Sequence, residues 1–307
     1  MKKSKRSYHK VKSREDIILD TIIYITLIFL LLVTLYPFVN VIAISFNDAM
    51  DSIKGGIYLW PREFTLYNYQ NVLGDSAIYH AAFVSVLRTV IGTLLSLVAC
   101  VMLAYILSRK DFVFRKFVTK FIVLTMYFSG GIIPTYFLFR SLHLINNFGV
   151  YVLPTLVSAW NVIVIRTYIE GLPESLIESA RIDGANDLQI LVKIITPLIM
   201  PVVATVALFV AVGQWNSWFD TFIYASSDKS LSTLQYELMK KLASAMSGLS
   251  GSTSTVGQGQ AGGQSQIITP NSVRATMTVV ATLPILFVYP FLQKYFVSGL
   301  TLGGVKE

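Results

Sequence analysis

The residues best suited to do chemistry lie in one charged stretch of an otherwise apolar chain. Residues 170–201 hold five carboxylates and two bases. Glu178, Arg181 and Asp183 lie close together here, and ionised groups make stronger, more directional hydrogen bonds than neutral ones. The stretch therefore predicts a docking surface for a partner protein. A solvated loop is the alternative, and Arg181 taken alone is equally well explained as a solvated charge.

Local helix signals indicate how the stretch presents these groups. Glu174 suits the positive N-terminus of a first short helix. Gly184 ends that helix, because glycine takes the left-handed C-terminal conformation without a Cβ clash. Asn186 or Asp187 can cap a second short helix that runs to Pro197. We therefore expect two short helices joined at a glycine.

Composition indicates that lipid is the solvent for most of the chain. Of 307 residues, 54% are hydrophobic and only 14% are charged, and the apolar residues occur in long blocks. Bases cluster before residue 15 and again at 109–120, beside apolar blocks, as the positive-inside rule expects. Nucleic-acid binding is therefore the weaker explanation of the net charge of +8. Cys100 is the only cysteine, which excludes intrachain disulfides and argues against a metal–thiolate site.

Six apolar stretches are long enough to cross a bilayer, so the sequence predicts an all-α membrane protein. The basic N-terminus places the first residues inside, and an even number of spans returns the C-terminus there. Both termini are therefore expected in the cytoplasm. The six predicted transmembrane helices are residues 17–46, 81–107, 121–139, 149–168, 198–223 and 275–297.

The charged stretch carries a family resemblance. Glu178-Ser-Ala-x-x-x-Gly184, followed nine residues later by Ile194-x-Thr-Pro197, resembles the EAA loop of binding-protein-dependent ABC importer permeases. The family pattern is Glu-Ala-Ala-x3-Gly-x9-Ile-x-Leu-Pro, so a serine and a threonine are its departures here. In that family the loop is a coupling helix that sits in a groove of the ATPase subunit.

The resemblance implies the type I ABC importer transmembrane fold of the maltose-type carbohydrate permeases. It assigns residues 170–196, the coupling loop, to ATPase coupling, with Glu178 as the main electrostatic contact and with Arg181 and Asp183 fixing its orientation. Ala180 would be small so that the helix lies flat in its groove, although ordinary helix packing explains it too. The ATPase-coupling residues are Glu178, Ala180, Arg181, Asp183 and Gly184.

The predicted spans and the resemblance together divide the chain into regions. Residues 81–223 form a permease core that includes the coupling loop. The loop 224–273, with its Gly/Ser/Gln-rich tract, either reaches into a binding protein or serves as a linker. The remaining regions are a basic cytoplasmic N-terminus (1–16), the first transmembrane helix (17–46), an extracellular segment (47–80), and the last helix with the C-terminus (274–307).

A second polar group falls in the outer half of the fifth span. Residues 213–220 read Gly-Gln-Trp-Asn-Ser-Trp-Phe-Asp, and amides beside aromatic faces suit a sugar ring. Polar groups at that depth avoid lipid, and the Trp-Asn pair resembles one in sugar permeases. The predicted translocation pathway comprises Gln214, Trp215, Asn216, Trp218 and Asp220.

Two questions about this polar group stay open. Interhelical hydrogen bonding with an interfacial tryptophan belt explains the residues as well as a pathway does. Arg88, in the second span, either contacts substrate or extends outward to the membrane surface, and we expect the second.

The resemblance also indicates a branch of the family. Asp183-Gly184-Ala185 is typical of sugar importers, and residues 45–48, 58–62 and 214–220 look most like YtcP-type permeases, which pair with an LplB-type partner. Such systems are associated with complex oligosaccharides, often containing uronic acids, in Gram-positive and some other bacteria, and a Gram-positive source is expected here. The expected function is oligosaccharide import across the cytoplasmic (inner) membrane by a multi-pass subunit. The expected partners are a second permease, ABC ATPase subunits, an extracellular sugar-binding lipoprotein, the oligosaccharide and membrane lipid, without nucleic acid.

Catalysis has no support in the sequence. The histidines are scattered, and no Gly-x4-Gly-Lys-Ser/Thr phosphate loop occurs. We therefore expect no enzyme, cofactor or metal site in this chain, with ATP and Mg on a partner ATPase. The rivals are a same-family permease for a non-sugar solute, a secondary transporter, which needs paired ionisable groups in its spans, and a membrane enzyme.

Overall fold

The computed structural model describes residues 14–250 and 268–302. The described residues form two compact units, one of residues 14–69 with 268–279 and one of residues 70–250 with 280–302. Predictions for the first thirteen residues, for most of the Gly/Ser/Gln-rich tract and for the C-terminal end lie outside the described residues.

In these residues the chain is helical between its loops and turns, and the predicted all-α class is confirmed. A π-helical turn at Ile190–Ile195 and 3-10 turns at Leu153–Thr155 and Lys229–Leu231 interrupt the α-helices. The α-helices are α1 (Arg14–Ser45), α2 (Ala49–Ile53), α3 (Tyr67–Leu73), α4 (Ser76–Ser108), α5 (Arg115–Thr125), α6 (Ile132–Ser141), α7 (Gly149–Val152), α8 (Ala159–Glu170), α9 (Ser175–Ile182), α10 (Asp187–Gln189), α11 (Thr196–Leu198), α12 (Met200–Asn216), α13 (Phe219–Tyr224), α14 (Leu234–Ser250) and α15 (Pro270–Leu302).

In the first unit, α1 is followed directly by a network of buried polar groups. The side-chain oxygen of Asn47 accepts from the Glu63 N–H at 2.9 Å, and its amide donates to Asp51 Oδ2 at 3.1 Å. Arg62 donates to the same carboxylate oxygen at 3.0 Å. These hydrogen bonds connect the end of α1 to residues 51–63 and fix the loop after α1. They also join residues 45–48 to 58–62, two stretches on which the resemblance rests.

The second unit is organised around α4, which packs against α8, α12 and α14. One end of α4 contributes Cys100 and Ala104 to an apolar cluster with α8, α9 and the π-helical turn. Its other end contributes Val84 to a second cluster with α7 and the end of α13. The coupling loop and the 213–220 group therefore attach to opposite ends of one helix.

Three helices are long and apolar enough to cross a membrane: α1, α4 and Pro270–Val288 of α15. Two bent pairs raise the number to five among the described residues. The first is Gly149–Thr155 with Ala159–Glu170, bent by 49°, and the second is Asp187–Leu198 with Met200–Asn216, bent by 82°. The fold therefore has three to five candidate spans, where the sequence predicts six.

The predicted third span, 121–139, is the one that differs, because the structure divides it between α5 and α6. Helix α6 begins after Gly131, whose φ of 79° lies in the left-handed region that glycine tolerates. Pro134 follows in the first turn, where its missing N–H costs nothing. A continuous helix across 121–139 is therefore wrong.

The predicted loop 224–273 also contains more structure than a linker. Helix α14 occupies Leu234–Ser250, and its first N–H donates to Ser85 Oγ on α4 at 2.8 Å. Lys241 pairs with Asp75, the N-cap of α4, at 3.3 Å. The first half of this loop thus packs against α4 rather than running free.

Candidate functional site

Helix α9 is attached to the rest of the second unit through one apolar edge. Ile177 is 3% exposed and Ala180 is 6% exposed, and both pack in the cluster that holds Ile190 and Ile195. The methyl group of Ala180 therefore faces this chain's own core. This placement corresponds to ordinary helix packing.

The end of α9 is a double hydrogen-bonded turn at Gly184. The Gly184 N–H donates to the Arg181 carbonyl and the Ala185 N–H donates to the Ala180 carbonyl, each at 3.0 Å. This pattern is the Schellman motif, which needs a left-handed residue, and Gly184 has φ of 82°. No atom lies within 4 Å of a Cβ built there, so glycine is needed for its backbone conformation and not for space.

The second short helix begins with a capping box. Asn186 Oδ1 accepts from the Gln189 N–H at 2.8 Å, and Gln189 Oε1 accepts from the Asn186 N–H at 3.0 Å. Two N–H groups that would otherwise lack partners are satisfied. Of the two predicted caps, Asn186 is the one used.

Ion pairs tie the coupling loop to the cationic loop after α4. Arg181 donates to Asp111 at 3.0 Å and to Asp187 at 3.4 Å. Lys110 binds Glu174 at 2.6 Å, and this hydrogen bond lowers the pKa of the Glu174 carboxyl below its usual value. Arg181 is thus engaged within this chain, where it joins both short helices to the neighbouring loop.

The outward side of the coupling loop carries groups that are free to meet a partner. Within the described part of the chain, Glu178 and Asp183 have exposed side chains without a hydrogen bond or ion pair. Ile182 is 86% exposed and Leu188 is 64% exposed. We call Glu178, Ile182, Asp183 and Leu188 the docking face.

Sequence reasoning did not single out the two apolar members of this face. The sequence does contain a signal for Ile182. It is a large apolar residue that lies off the apolar stripe formed by the buried α9 positions. Exposed apolar side chains rimmed by charge are typical of protein–protein contacts.

The polar residues of the fifth predicted span gather around Arg88, which is 1% exposed. Its Nε and Nη2 donate to Gln214 Oε1 at 3.1 and 3.0 Å. Its Nη1 and Nη2 donate to the two oxygens of Asp220 at 3.1 and 2.5 Å. A further bond reaches the Ser217 carbonyl at 3.3 Å, and the guanidinium lies 4.4 Å from the Tyr151 ring centre. These five residues are the arginine cluster.

The prediction that Arg88 extends outward to the membrane surface is wrong. Polar groups on both sides of the break between α12 and α13 accept the hydrogen bonds of its guanidinium inside the protein. The side chain therefore does not need to extend to the membrane surface to find polar partners. Gln214 extends the cluster, because its Nε2 donates to the Tyr151 carbonyl at 3.2 Å and to Thr155 Oγ1 at 2.8 Å.

The other predicted pathway residues lie apart from this cluster. Trp215 is buried, its indole N–H donates to the Ala281 carbonyl at 3.0 Å, and its ring lines an apolar cleft with Pro284. Asn216 is exposed and accepts from Gln235 at 3.3 Å. Trp218 makes an edge-to-face contact with Phe219 and a tilted contact with Phe222. The structure thus brings Gln214 and Asp220 together and separates Trp215 from them.

The described residues contain no group of three or more His, Cys, Asp or Glu side chains able to hold a metal ion. The docking face offers charge and apolar contact, and the arginine cluster offers a closed set of hydrogen bonds.

Comparisons with known proteins agree over most of the chain. The sequence pattern of the family described as "Binding-protein-dependent transport system inner membrane component" matches residues 13–219. The polygalacturonan/rhamnogalacturonan transport system permease protein YtcP of Bacillus subtilis is 38% identical, over 94% of this chain and 98% of that protein. The arabinooligosaccharides transport system permease protein AraQ of Halalkalibacterium halodurans is 30% identical, over 96% of this chain and all of that protein.

A solved structure shows the same fold. A bacterial ABC transporter involved in the import of the acidic polysaccharide alginate contains a chain that superposes with a TM-score of 0.77. The two chains are 29% identical, and the match covers 94% of this chain and 99% of the other.

Proposed function

The chain belongs to the family of inner membrane components of binding-protein-dependent transport systems, and we propose that it carries an oligosaccharide inward through six spans with both termini in the cytoplasm. It is a multi-pass permease subunit of an ABC importer and not an enzyme, and ATP is bound by a separate ATPase. The observation that carries the proposal is the coupling loop, whose two short helices turn at Gly184 and present an exposed docking face.

The six-span topology is supported by contacts at both ends of the divided third stretch. At the start of α5, Arg115 pairs with Glu170, the first residue of the coupling loop. Beyond the end of α6, Leu144 packs in the cluster at the other end of α4, and the Asn146 N–H donates to the Tyr224 carbonyl at 2.9 Å. Together, α5 and α6 run from one end of the second unit to the other, so they serve as the third span.

In this topology the coupling loop faces the cytoplasm. Glu178 and Asp183 then bind basic groups of an ATPase subunit, while Ile182 and Leu188 enter an apolar part of its groove. Arg181 and Gly184 hold the loop in the docking conformation. The importer further contains a second permease subunit, paired ATPase subunits and an extracellular sugar-binding lipoprotein. ATP closes the paired ATPases, and the coupling loops transmit that closure to the spans.

The substrate proposed is an oligosaccharide that contains uronic acids. Support comes from the importer of the acidic polysaccharide alginate and from the polygalacturonan/rhamnogalacturonan permease, because a galacturonan is built of galacturonic acid. The arabinooligosaccharide permease, at 30% identity, favours a neutral glycan as the second candidate. A Gram-positive source is proposed as well, because the YtcP relative comes from Bacillus subtilis.

The pathway is proposed to pass the break between α12 and α13. Asn216 and Trp218 are available to a sugar there, whereas Gln214 and Asp220 support the break through Arg88. Trp215 faces an apolar cleft and shapes the wall without touching sugar.

The substrate is tested by ATPase stimulation of the purified importer with its binding protein. Oligogalacturonate is expected to stimulate hydrolysis, and arabino- and malto-oligosaccharides are expected to leave it at the basal rate. Stimulation by a neutral glycan alone would reject the acidic substrate. Failure of any ATPase to purify with the chain would reject the importer itself.

A further inference from the structure

The arginine cluster lies at the break between α12 and α13, which we call the hinge. Helix α12 ends at Asn216 and α13 begins at Phe219. Between them Ser217 is extended, with φ of −73° and ψ of 125°. Only this short connection departs from helix, so a change at Ser217 changes the angle between the two helices.

Arg88 holds this hinge from both sides. Its partner Gln214 precedes the break, the Ser217 carbonyl lies within it, and Asp220 follows it. Because a guanidinium is planar and its donors have fixed directions, all three groups are bound only at one hinge angle. The cluster therefore fixes both the bend and the position of the bend against α4.

The Arg88–Asp220 ion pair is expected to determine the geometry of the hinge more than the stability of the fold. Arg88 is 1% exposed, while the side chain of Asp220 is 20% exposed. Removing both charges from water offsets much of their attraction, so a buried pair contributes less to stability than to choosing one arrangement. The partly exposed Asp220 is the member of the pair that water can reach.

Two helices connect the hinge mechanically to the coupling loop. Helix α12 follows the loop directly after the bend at Ile199. Helix α4 runs about 26 Å from Arg88 to Tyr105, whose hydroxyl donates to Asp187 in the loop at 3.2 Å. A change of angle at the hinge therefore shifts helices that support the docking face.

We propose that the arginine cluster is a conformational lock: it holds the α12–α13 hinge at its resting angle and must release for α12 to move against α4 during transport. The lock rests on the proposed coupling to an ATPase. Its physical consequence is that the closed cluster opposes spontaneous cycling in the absence of sugar. Loss of the lock gives hydrolysis without transport.

Two variants release the lock by different means. Asp220→Asn keeps the shape but removes the charge that holds Arg88. Gly92→Ala leaves every charge in place, but its new Cβ comes within 2.8 Å of Gln214 Nε2 and displaces that amide. Gly213→Ala is the matched control, because a Cβ at Gly213 meets no atom within 4 Å. Asp220→Glu keeps the carboxylate and tests rescue.

The measurement is the sugar-free ATPase rate of the complete importer in nanodiscs. Asp220→Asn and Gly92→Ala are expected to raise it by about fivefold or more, the scale of allosteric coupling, and so to lower the stimulation by sugar. Gly213→Ala is expected to match the native rate, with Asp220→Glu in between. A variant that only misfolds is expected to lose the assembled importer, so the rate is measured on complexes that contain the permease and the ATPase in the native ratio.

Unchanged sugar-free rates in both assembled variants would overturn the lock. Failure of both to assemble, with Gly213→Ala intact, would overturn it too, because the cluster would then be a folding element. If only Asp220→Asn fails to assemble, the rate of Gly92→Ala decides. A native preparation that contains no ATPase would overturn both the lock and the proposed function, and this result is seen before any variant is made.

Discussion

Two glutamates lie near the start of α9, Glu174 as its N-cap and Glu178 in its first turn. Only Glu174 has a partner among the described residues of the chain. Glu174 is bound to Lys110 at 2.6 Å, while Glu178 is exposed and has no partner in the described chain. A charge-assisted contact is worth about 1.5–3 kcal/mol, which is roughly 10–150-fold in affinity. Glu178→Gln is therefore expected to weaken ATPase binding by roughly that factor.

The measurement is titration of the detergent-solubilised permease with purified ATPase. Glu174→Gln is the matched control at the start of the same helix, because an exposed ion pair contributes little. Equal weakening by both variants would show that overall charge, and not the docking face, determines the affinity.

Gly184 allows a second test at the residue scale. A residue other than glycine costs roughly 1–2 kcal/mol in the left-handed region, but asparagine enters it more readily than most. With open space around the Cβ position, Gly184→Asn is expected to keep most ATPase binding, and Gly184→Val to lose it.

Co-purification and thermal stability of the two variants give the comparison. If Gly184→Asn and Gly184→Val were equally harmful, close approach of the ATPase to the backbone would be the reason for glycine, and the conformational explanation would fail.

At the scale of elements, the sequence predicts the ends of helices correctly where the interacting residues are close together in the chain. The end of α9 at Gly184 and the cap at Asn186 were predicted because their partners lie within six residues. The burial of Arg88 was not predictable in this way. Its partners Gln214 and Asp220 are 126 and 132 residues away, so only the packed structure shows them.

The division between α5 and α6 leads to a prediction about topology. If these helices together cross the membrane, their ends face opposite sides. Lys116→Cys at the start of α5 is expected to resist an impermeant maleimide in intact cells, and Ser141→Cys at the end of α6 is expected to react. Both changes are made in a Cys100→Ala background, since Cys100 is the only native cysteine.

Reaction of both positions, or protection of both, would mean that α5 and α6 return to the side from which they start. The chain would then have fewer than six spans, and the orientation of the coupling loop would have to be revised.

At the scale of the whole molecule, the sequence was sufficient for the family and for the helical class, because long apolar blocks and one spaced motif specify both. The number of spans was harder to predict, because a broken or bent helix can have the same mean hydropathy as a straight one. The sugar is harder still, because Asn216 and Trp218 are the members of the predicted pathway left available to it, and they suit many glycans.

The most direct test of the central claim is cross-linking from the exposed Ser179 of α9. A bifunctional thiol-reactive cross-linker is added to the assembled importer. Ser179→Cys in the Cys100→Ala background is expected to become cross-linked to the ATPase subunit, whereas Ser226→Cys, beyond α13, is not. Reaction of Ser179→Cys with an impermeant reagent outside intact cells, with no ATPase adduct, would contradict the coupling role of this loop.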